Sequence, residues 1–128
     1  MILAAALVLA AAQEWPTYHG GYGLDGAVET APPDAPARLW RFKADGPVEQ
    51  TPVSGGGRVY VAAAKGALHA LDLAGAEVWT VKLDKDAFSS PLLYADGRLF
   101  VGLASGALVA FDAATGKEAW RADVGAAV

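Results

Sequence analysis

The sequence predicts an all-β fold built from four-stranded antiparallel units, and three observations carry that prediction. The chain repeats itself: "GRVYVAAAKGALHALD", beginning at Gly57, overlays "GRLFVGLASGALVAFD", beginning at Gly97, forty residues on. Upstream, "TPV" at Thr51 matches "SPL" at Ser90, and downstream Trp79 matches Trp120; these offsets differ from forty by one residue, as turn insertions would make them. Within each unit the apolar runs are strand-length and rich in β-branched and aromatic residues, as in Val59-Tyr60-Val61 and Leu99-Phe100-Val101. Finally, Gly57, Gly66 and Gly75 leave under ten residues between breaks, so alanine-rich pieces such as Ala62-Ala63-Ala64 are too short for ordinary helices.

Four strands per forty residues is the spacing of a β-propeller blade. Along the chain, residues 1–12 form an uncharged apolar run, "MILAAALVLAAA", well short of the roughly twenty residues that span a bilayer. Ala10-Ala11-Ala12 offers a small-residue cleavage site before Gln13, which predicts an export signal and a periplasmic or secreted protein. The usual basic residues before the apolar run are missing, and the same run would also suit the first strand or helix of a cytoplasmic domain. The sharp change of composition at Gln13-Glu14-Trp15 favours export.

Residues 13–37 form an N-terminal extended segment and connector; Pro32, Pro33 and Pro36 keep residues 30–37 free of regular structure. Residues 38–128 hold the partial propeller. Residues 38–43 are expected to be an outer strand of the preceding blade position. Blades follow at 48–83 and 88–124, with inner strands around 49–53 and 88–94. The second and third strands flank Lys65-Gly66 and Ser105-Gly106, and the outer strands run over 77–83 and 117–124. Several of these strands lack polar alternation, as expected where both faces are buried. "SGGGR" at Ser54 and Asp96-Gly97-Arg98 occupy the same place in the two blades, so both are hairpin turns; no Gly-Lys-Ser/Thr follows to make a phosphate loop. Two blades and a leading strand do not close a ring, so the chain is expected to be part of a longer propeller of seven or eight blades.

Charge and composition exclude several functions. Net charge is −4 and the ten Lys and Arg are scattered, so no basic stripe marks a nucleic-acid surface. With no cysteine, the sequence offers no disulfide, thiolate metal site, Cys nucleophile or lipid-modified cysteine. His19 and His69 are fifty residues apart without plausible metal partners, and His69 occupies the strand position of Val109. Asp84-Lys85-Asp86 lacks the glycine and ligand spacing of a calcium loop.

The stretch "GALVAFDAATGKEAW", from Gly106, combines turn chemistry with a tryptophan. Asp112 ends the third strand and can accept hydrogen bonds from the N–H groups just beyond it; Thr115 can do so more weakly. Gly116 supplies the positive φ that closes a short hairpin with a bulge. Trp120 then lies on the outer strand, able to pack against the adjacent blade. These residues resemble the tryptophan-docking motif of the pyrroloquinoline-quinone-like (PQQ-like) propeller repeat family, Ala-x-Asp-x-x-Thr-Gly-x-x-x-Trp. Ala110, Asp112, Thr115, Gly116 and Trp120 match throughout. In the first blade Ala70, Asp72, Gly75 and Trp79 match, with a loop one residue shorter and no Thr. "WPTYHGG" from Trp15 is similar to the segment that often begins such proteins after export. Recurrence of Asp72 and Asp112 at one place in both blades assigns them a structural duty rather than a catalytic one.

The resemblance implies a propeller but no single activity, because the family includes dehydrogenases, assembly scaffolds and sensor domains. Glu49 is the one cofactor-binding candidate. It precedes Pro52 on an inner strand, and in quinoprotein dehydrogenases a glutamate at a similar place contacts the quinone. The competing reading is a carboxylate on the channel rim facing water. The Arg-Tyr-Ser-Pro-like segment and adjacent-cysteine disulfide common in those enzymes are absent, which favours the rim reading. The leading expectation is therefore an exported, non-catalytic propeller, a protein-interaction scaffold or ligand-sensing module whose partner or small ligand sits at the rim. No cofactor or metal is expected. The alternative is part of a PQQ-dependent dehydrogenase using PQQ with calcium. An outer-membrane assembly scaffold is a third reading, weakened by the absent lipid-anchor cysteine.

Overall fold

A computed structural model describes residues 14–24, 26–27, 34–83 and 86–125; the apolar run at 1–12 and the first half of the proline-rich connector, residues 30–33, lie outside them. Among the described residues there are two four-stranded antiparallel sheets, each in the order of the sequence, β1-β2-β3-β4 and β5-β6-β7-β8. The first blade comprises β1 (Val53–Gly55), β2 (Arg58–Ala63), β3 (Ala67–Asp72) and β4 (Glu77–Lys82). The second comprises β5 (Leu93–Ala95), β6 (Arg98–Gly102), β7 (Ala107–Asp112) and β8 (Glu118–Asp123). A single 3₁₀ turn, Ala64–Gly66, joins β2 to β3.

The turns follow from their residues. Gly55 pairs with Arg58, and Ala95 with Arg98, leaving two-residue loops at Gly56-Gly57 and Asp96-Gly97. All four loop residues have positive φ, as a type I′ hairpin requires. One register row runs through each blade: Tyr60, Ala70 and Trp79 stand opposite one another in the first, and Phe100, Ala110 and Trp120 in the second. A bulge follows that row in both, between Ala70 and Leu71 and between Ala110 and Phe111, and re-aims the chain into the Asp turn.

The core lies between the sheets. Val53, Tyr60, Ala62, Leu68 and Ala70 of the first blade pack with Leu92, Leu99, Val101, Leu103, Val109 and Phe111 of the second. The first blade is covered on its other face too, where Val59, Val61 and Leu71 meet Trp40, Phe42 and Val48 around a 270 Å³ cavity. Burial on both faces is why β2 and β3 lack polar alternation.

Two expectations need correction. Residues 38–43 form no strand. A strand exists only where a neighbouring backbone pairs with it, and among the described residues no third strand lies beside this segment. The inner strands are also shorter and begin later than expected, at Val53 and Leu93 rather than 49 and 88. Pro52 and Pro91 carry no N–H to donate to a ladder. Glu49 therefore precedes its strand, and Phe88 makes only an isolated bridge to Leu103.

Candidate functional site

The repeated motif builds a joint between blades. Asp112 Oδ1 accepts from the N–H groups of Ala114 (2.9 Å) and Thr115 (3.1 Å), and Gly116 N–H donates to Asp112 O at 2.8 Å. Thr115 Oγ1 accepts from Lys117 N–H at 3.3 Å, the bond for which the shorter first-blade loop has no counterpart residue. Asp72 Oδ1 accepts from Ala74 and Ala76 N–H, both at 2.9 Å. Each closed turn then receives the tryptophan of the preceding position. Trp79 donates its Nε1–H to Ala113 O at 2.9 Å and lays its ring on Gly116; Trp40 donates to Leu73 O at 2.9 Å and lies on Gly75. A β-carbon at either glycine would stand 2.6 Å from the ring, and both glycines have positive φ. Glycine is thus required twice over, by the turn and by the docking. Trp40 performs this docking without belonging to a strand. Trp120, whose ring meets Phe100 of its own blade at 5.9 Å, is 37% exposed.

Sequence reasoning missed one member of the joint. Arg58 Nη1 donates to Ala114 O at 2.9 Å and Ala113 O at 3.3 Å, gripping the next blade's hairpin beside Trp79. The Gly-Arg pair repeated at 57–58 and 97–98 was the available signal.

His69 is 5% exposed and engaged by the first blade and by the segment that precedes it. Asp45 N–H donates to its Nε2 at 3.3 Å, which leaves Nδ1–H to donate to Glu77 Oε2 at 2.9 Å. Phe42 packs edge-on against the ring at 5.1 Å. His19 lies on the surface, its ring 4.0 Å from that of Tyr18 and tilted by 59°, fifty residues from His69 in the chain. Of the Asp84-Lys85-Asp86 loop, only Asp86 is described. It closes the β6–β7 turn, accepting from Ala87 N–H (3.0 Å), Ser105 N–H (3.2 Å) and the Ser105 hydroxyl.

The Ser105 hydroxyl holds the Asp86 carboxyl below its ordinary value of 3.8. Lys82 lowers Asp45 in the same way, and Arg121 lowers Glu118. A carboxyl depressed in the folded state stabilises above its unfolded value and ceases to as pH falls through the folded one. The melting temperature of Asp86→Asn should therefore lie below that of the parent at neutral pH, and the two should converge once pH drops below 3.8. A gap that persists in acid would show that the Asp86 charge is not the source.

At the inner rim, exposed Glu49 lines a cleft of about 70 Å³ with Gln50, Ala62, Ala63, Ala64, Lys65, Ala87 and Phe88. Ordinary small-molecule pockets hold roughly 300–1,000 Å³. Calcium takes six to eight oxygens, whereas among the described residues no group of three or more His, Cys, Asp or Glu could hold a metal ion. Glu49 can contribute one carboxylate to a site completed elsewhere, but these residues alone do not fit PQQ with calcium. Among the described residues, no helix is long and apolar enough to cross a membrane.

The opposite end of the inner strands carries the segment that begins "WPTYHGG". Thr17 and Gly20 close a turn, Gly20 N–H donating to Thr17 O at 2.9 Å, and the Trp15 ring covers Gly20. Backbone bonds then join Trp15 to Ser54 of β1 and Pro16 to Tyr94 of β5.

Comparison with known proteins agrees with this architecture. Over 85 residues, 58% of this chain, it is 36% identical to the quinohemoprotein alcohol dehydrogenase of Comamonas testosteroni, of which it spans 12%. Over 98 residues, 77% of the chain, it is 30% identical to the outer membrane protein assembly factor BamB of Burkholderia pseudomallei, of which it spans 26%. The crystal structure of the Comamonas testosteroni dehydrogenase superposes with a TM-score of 0.72 at 27% identity, covering 87% of this chain and 19% of that one. The repeat profile described as outer membrane protein assembly factor BamB matches residues 64–128, the span that contains the third and fourth strands of the first blade and all of the second. With that match, and with the Asp-Gly-Trp joint formed in both blades, the chain belongs to the PQQ-like β-propeller repeat family.

Proposed function

We propose that the chain supplies two blades of an exported, non-catalytic PQQ-like propeller that works as a protein-interaction scaffold or ligand-sensing module. The observation that carries this reading is the sequence alignment with the assembly factor, which takes in 77% of this chain against 58% for the alcohol dehydrogenase; the superposed dehydrogenase structure, at 87% of the chain, supports the propeller fold under either reading. The repeat profile bears the same description. That likeness revives the scaffold reading against which the absent cysteine weighed. Export to the periplasm, inferred from the apolar run at 1–12, belongs to the same proposal and is checked by fractionating cells that express the full-length protein.

A second reading has its own support. Identity is higher to the quinohemoprotein alcohol dehydrogenase, and to a 1-butanol dehydrogenase of Thauera butanivorans, at 36% and 38%. Under it, Glu49 would be one contact of a PQQ and calcium site that other blades complete. The two readings separate on one experiment: the full-length protein is incubated with PQQ and calcium and assayed for dye-linked oxidation of alcohols and sugars. No turnover is expected. Turnover that collapses in Glu49→Gln would establish the dehydrogenase instead.

A further inference from the structure

The order of strands in each sheet places β1 and β5 at the inner edges. An open strand edge presents unpaired N–H and C=O groups that recruit another strand. In this chain a neighbouring backbone already occupies those edges. Trp15 N–H donates to Ser54 O at 3.1 Å and to Ser54 Oγ at 2.8 Å, and Ser54 N–H donates to Trp15 O at 2.8 Å. One residue on, Pro16 O accepts from Tyr94 N–H at 2.7 Å.

Ser54 and Tyr94 are the middle residues of β1 and β5, equivalent positions in successive blades. Two consecutive residues of the segment therefore bridge two blades through backbone atoms. Side chains extend the grip. Glu14 Oε1 accepts from Gly56 N–H at 3.0 Å, and the Tyr22 hydroxyl donates to Tyr94 O at 3.0 Å. Pro16 and Gly20 are buried, and Gly20 has a φ of +89° beneath the Trp15 ring. Every one of these contacts falls toward the Gly56-Gly57 and Asp96-Gly97 hairpins. The rim that holds Glu49, Gln50, Lys65 and Phe88 receives none of them.

We infer that residues 14–22 are a built-in strand-addition clasp: an extended stretch from Glu14 to Pro16, braced by the turn that Thr17 and Gly20 close, that occupies the hairpin end of the inner edge in cis, ties blade to blade and closes that end to any other backbone. A ligand or partner of the propeller is then confined to the Glu49 end. This last step rests on the rim reading proposed above; the clasp itself does not.

Amide hydrogen exchange on the full-length protein tests the clasp without substitution. The Ser54 and Tyr94 amides should exchange at least about a hundredfold more slowly than in an unstructured peptide. Random-coil exchange at both would overturn the clasp. In Gly20→Val, which drives a side chain into the Trp15 ring, these two amides should lose most of their protection while those of β2 and β3 keep theirs. Equal loss throughout, or none at Ser54 and Tyr94, would also overturn it. Because the sequence has no cysteine, single Ser54→Cys and Gln50→Cys variants then probe the two ends with a maleimide. Ser54→Cys should label about tenfold or more slowly relative to Gln50→Cys. Equally slow labelling at Gln50→Cys, with exchange protection intact, would overturn the open Glu49 end and leave the clasp standing.

Discussion

Gly116→Ala should destabilise the protein by about 2–4 kcal/mol, whereas Gly97→Ala should cost only about 1 kcal/mol. Both glycines have positive φ, +76° and +72°, so both substitutions carry similar backbone strain. Their surroundings differ. Nothing lies within 4 Å of a β-carbon placed at 97, whereas one at 116 would meet Trp79 Cε3 at 2.6 Å and Cδ2 at 2.8 Å. Accommodating it would lift the indole from the hairpin and break its 2.9 Å bond to Ala113 O. Neighbouring effects of this kind are not additive. In a Trp79→Ala background, Gly116→Ala should therefore fall to about the 1 kcal/mol cost of backbone strain alone. Urea unfolding of the four proteins completes the cycle. Equal costs for Gly97→Ala and Gly116→Ala would remove the docking role assigned to Gly116.

Tyr60→Ala should cost about 3–5 kcal/mol, and Tyr60→Phe less than about 1 kcal/mol. Tyr60 is 2% exposed and sits where the two blades meet. Its ring stacks on Tyr94 of the second blade at 5.8 Å and 13°, and lies 6.0 Å from Trp79. Gly55 makes the stack possible, since a β-carbon there would stand 2.1 Å from Tyr94 Cδ1. Truncation at 60 would leave a cavity among large groups that cannot follow it inward. The hydroxyl matters little, because its contact to Ala113 O is long, at 3.5 Å. Thermal or urea unfolding reads both variants. A Phe variant as unstable as the Ala variant would shift the weight from ring packing to that hydroxyl.

These two positions show what could be foreseen. Gly116 was legible because Asp, Gly and Trp recur in both blades, with Gly and Trp four residues apart each time, and each has a local reason to be there. The joint was therefore readable as a turn with a docking tryptophan. Its partner was less plain: Trp79 serves the hairpin of the next blade, and packing shows that Trp40 docks in the same way although it lies off a strand and Trp79 on one. Glu49 was placed on a strand by alignment with its repeat, yet Pro52 starts the ladder later and leaves Glu49 on the exposed approach to it. Tyr60 carried no motif. Its weight comes from Tyr94, which lies in the other blade.

By itself the sequence determined the repeat, the four-strand unit, the hairpins at Gly56-Gly57 and Asp96-Gly97, and the Asp72 and Asp112 turns. Those features depend on backbone preferences and on residues only a few places apart, so a linear pattern is enough to specify them. Tertiary structure alone decided that Arg58 grips the next hairpin, that residues 38–43 dock without pairing, and that Trp15 and Pro16 cross the inner edges of both blades. Each of those contacts joins segments far apart in the chain. They use carbonyls and N–H groups that every residue carries, so they exist only once the sheets have brought those groups together.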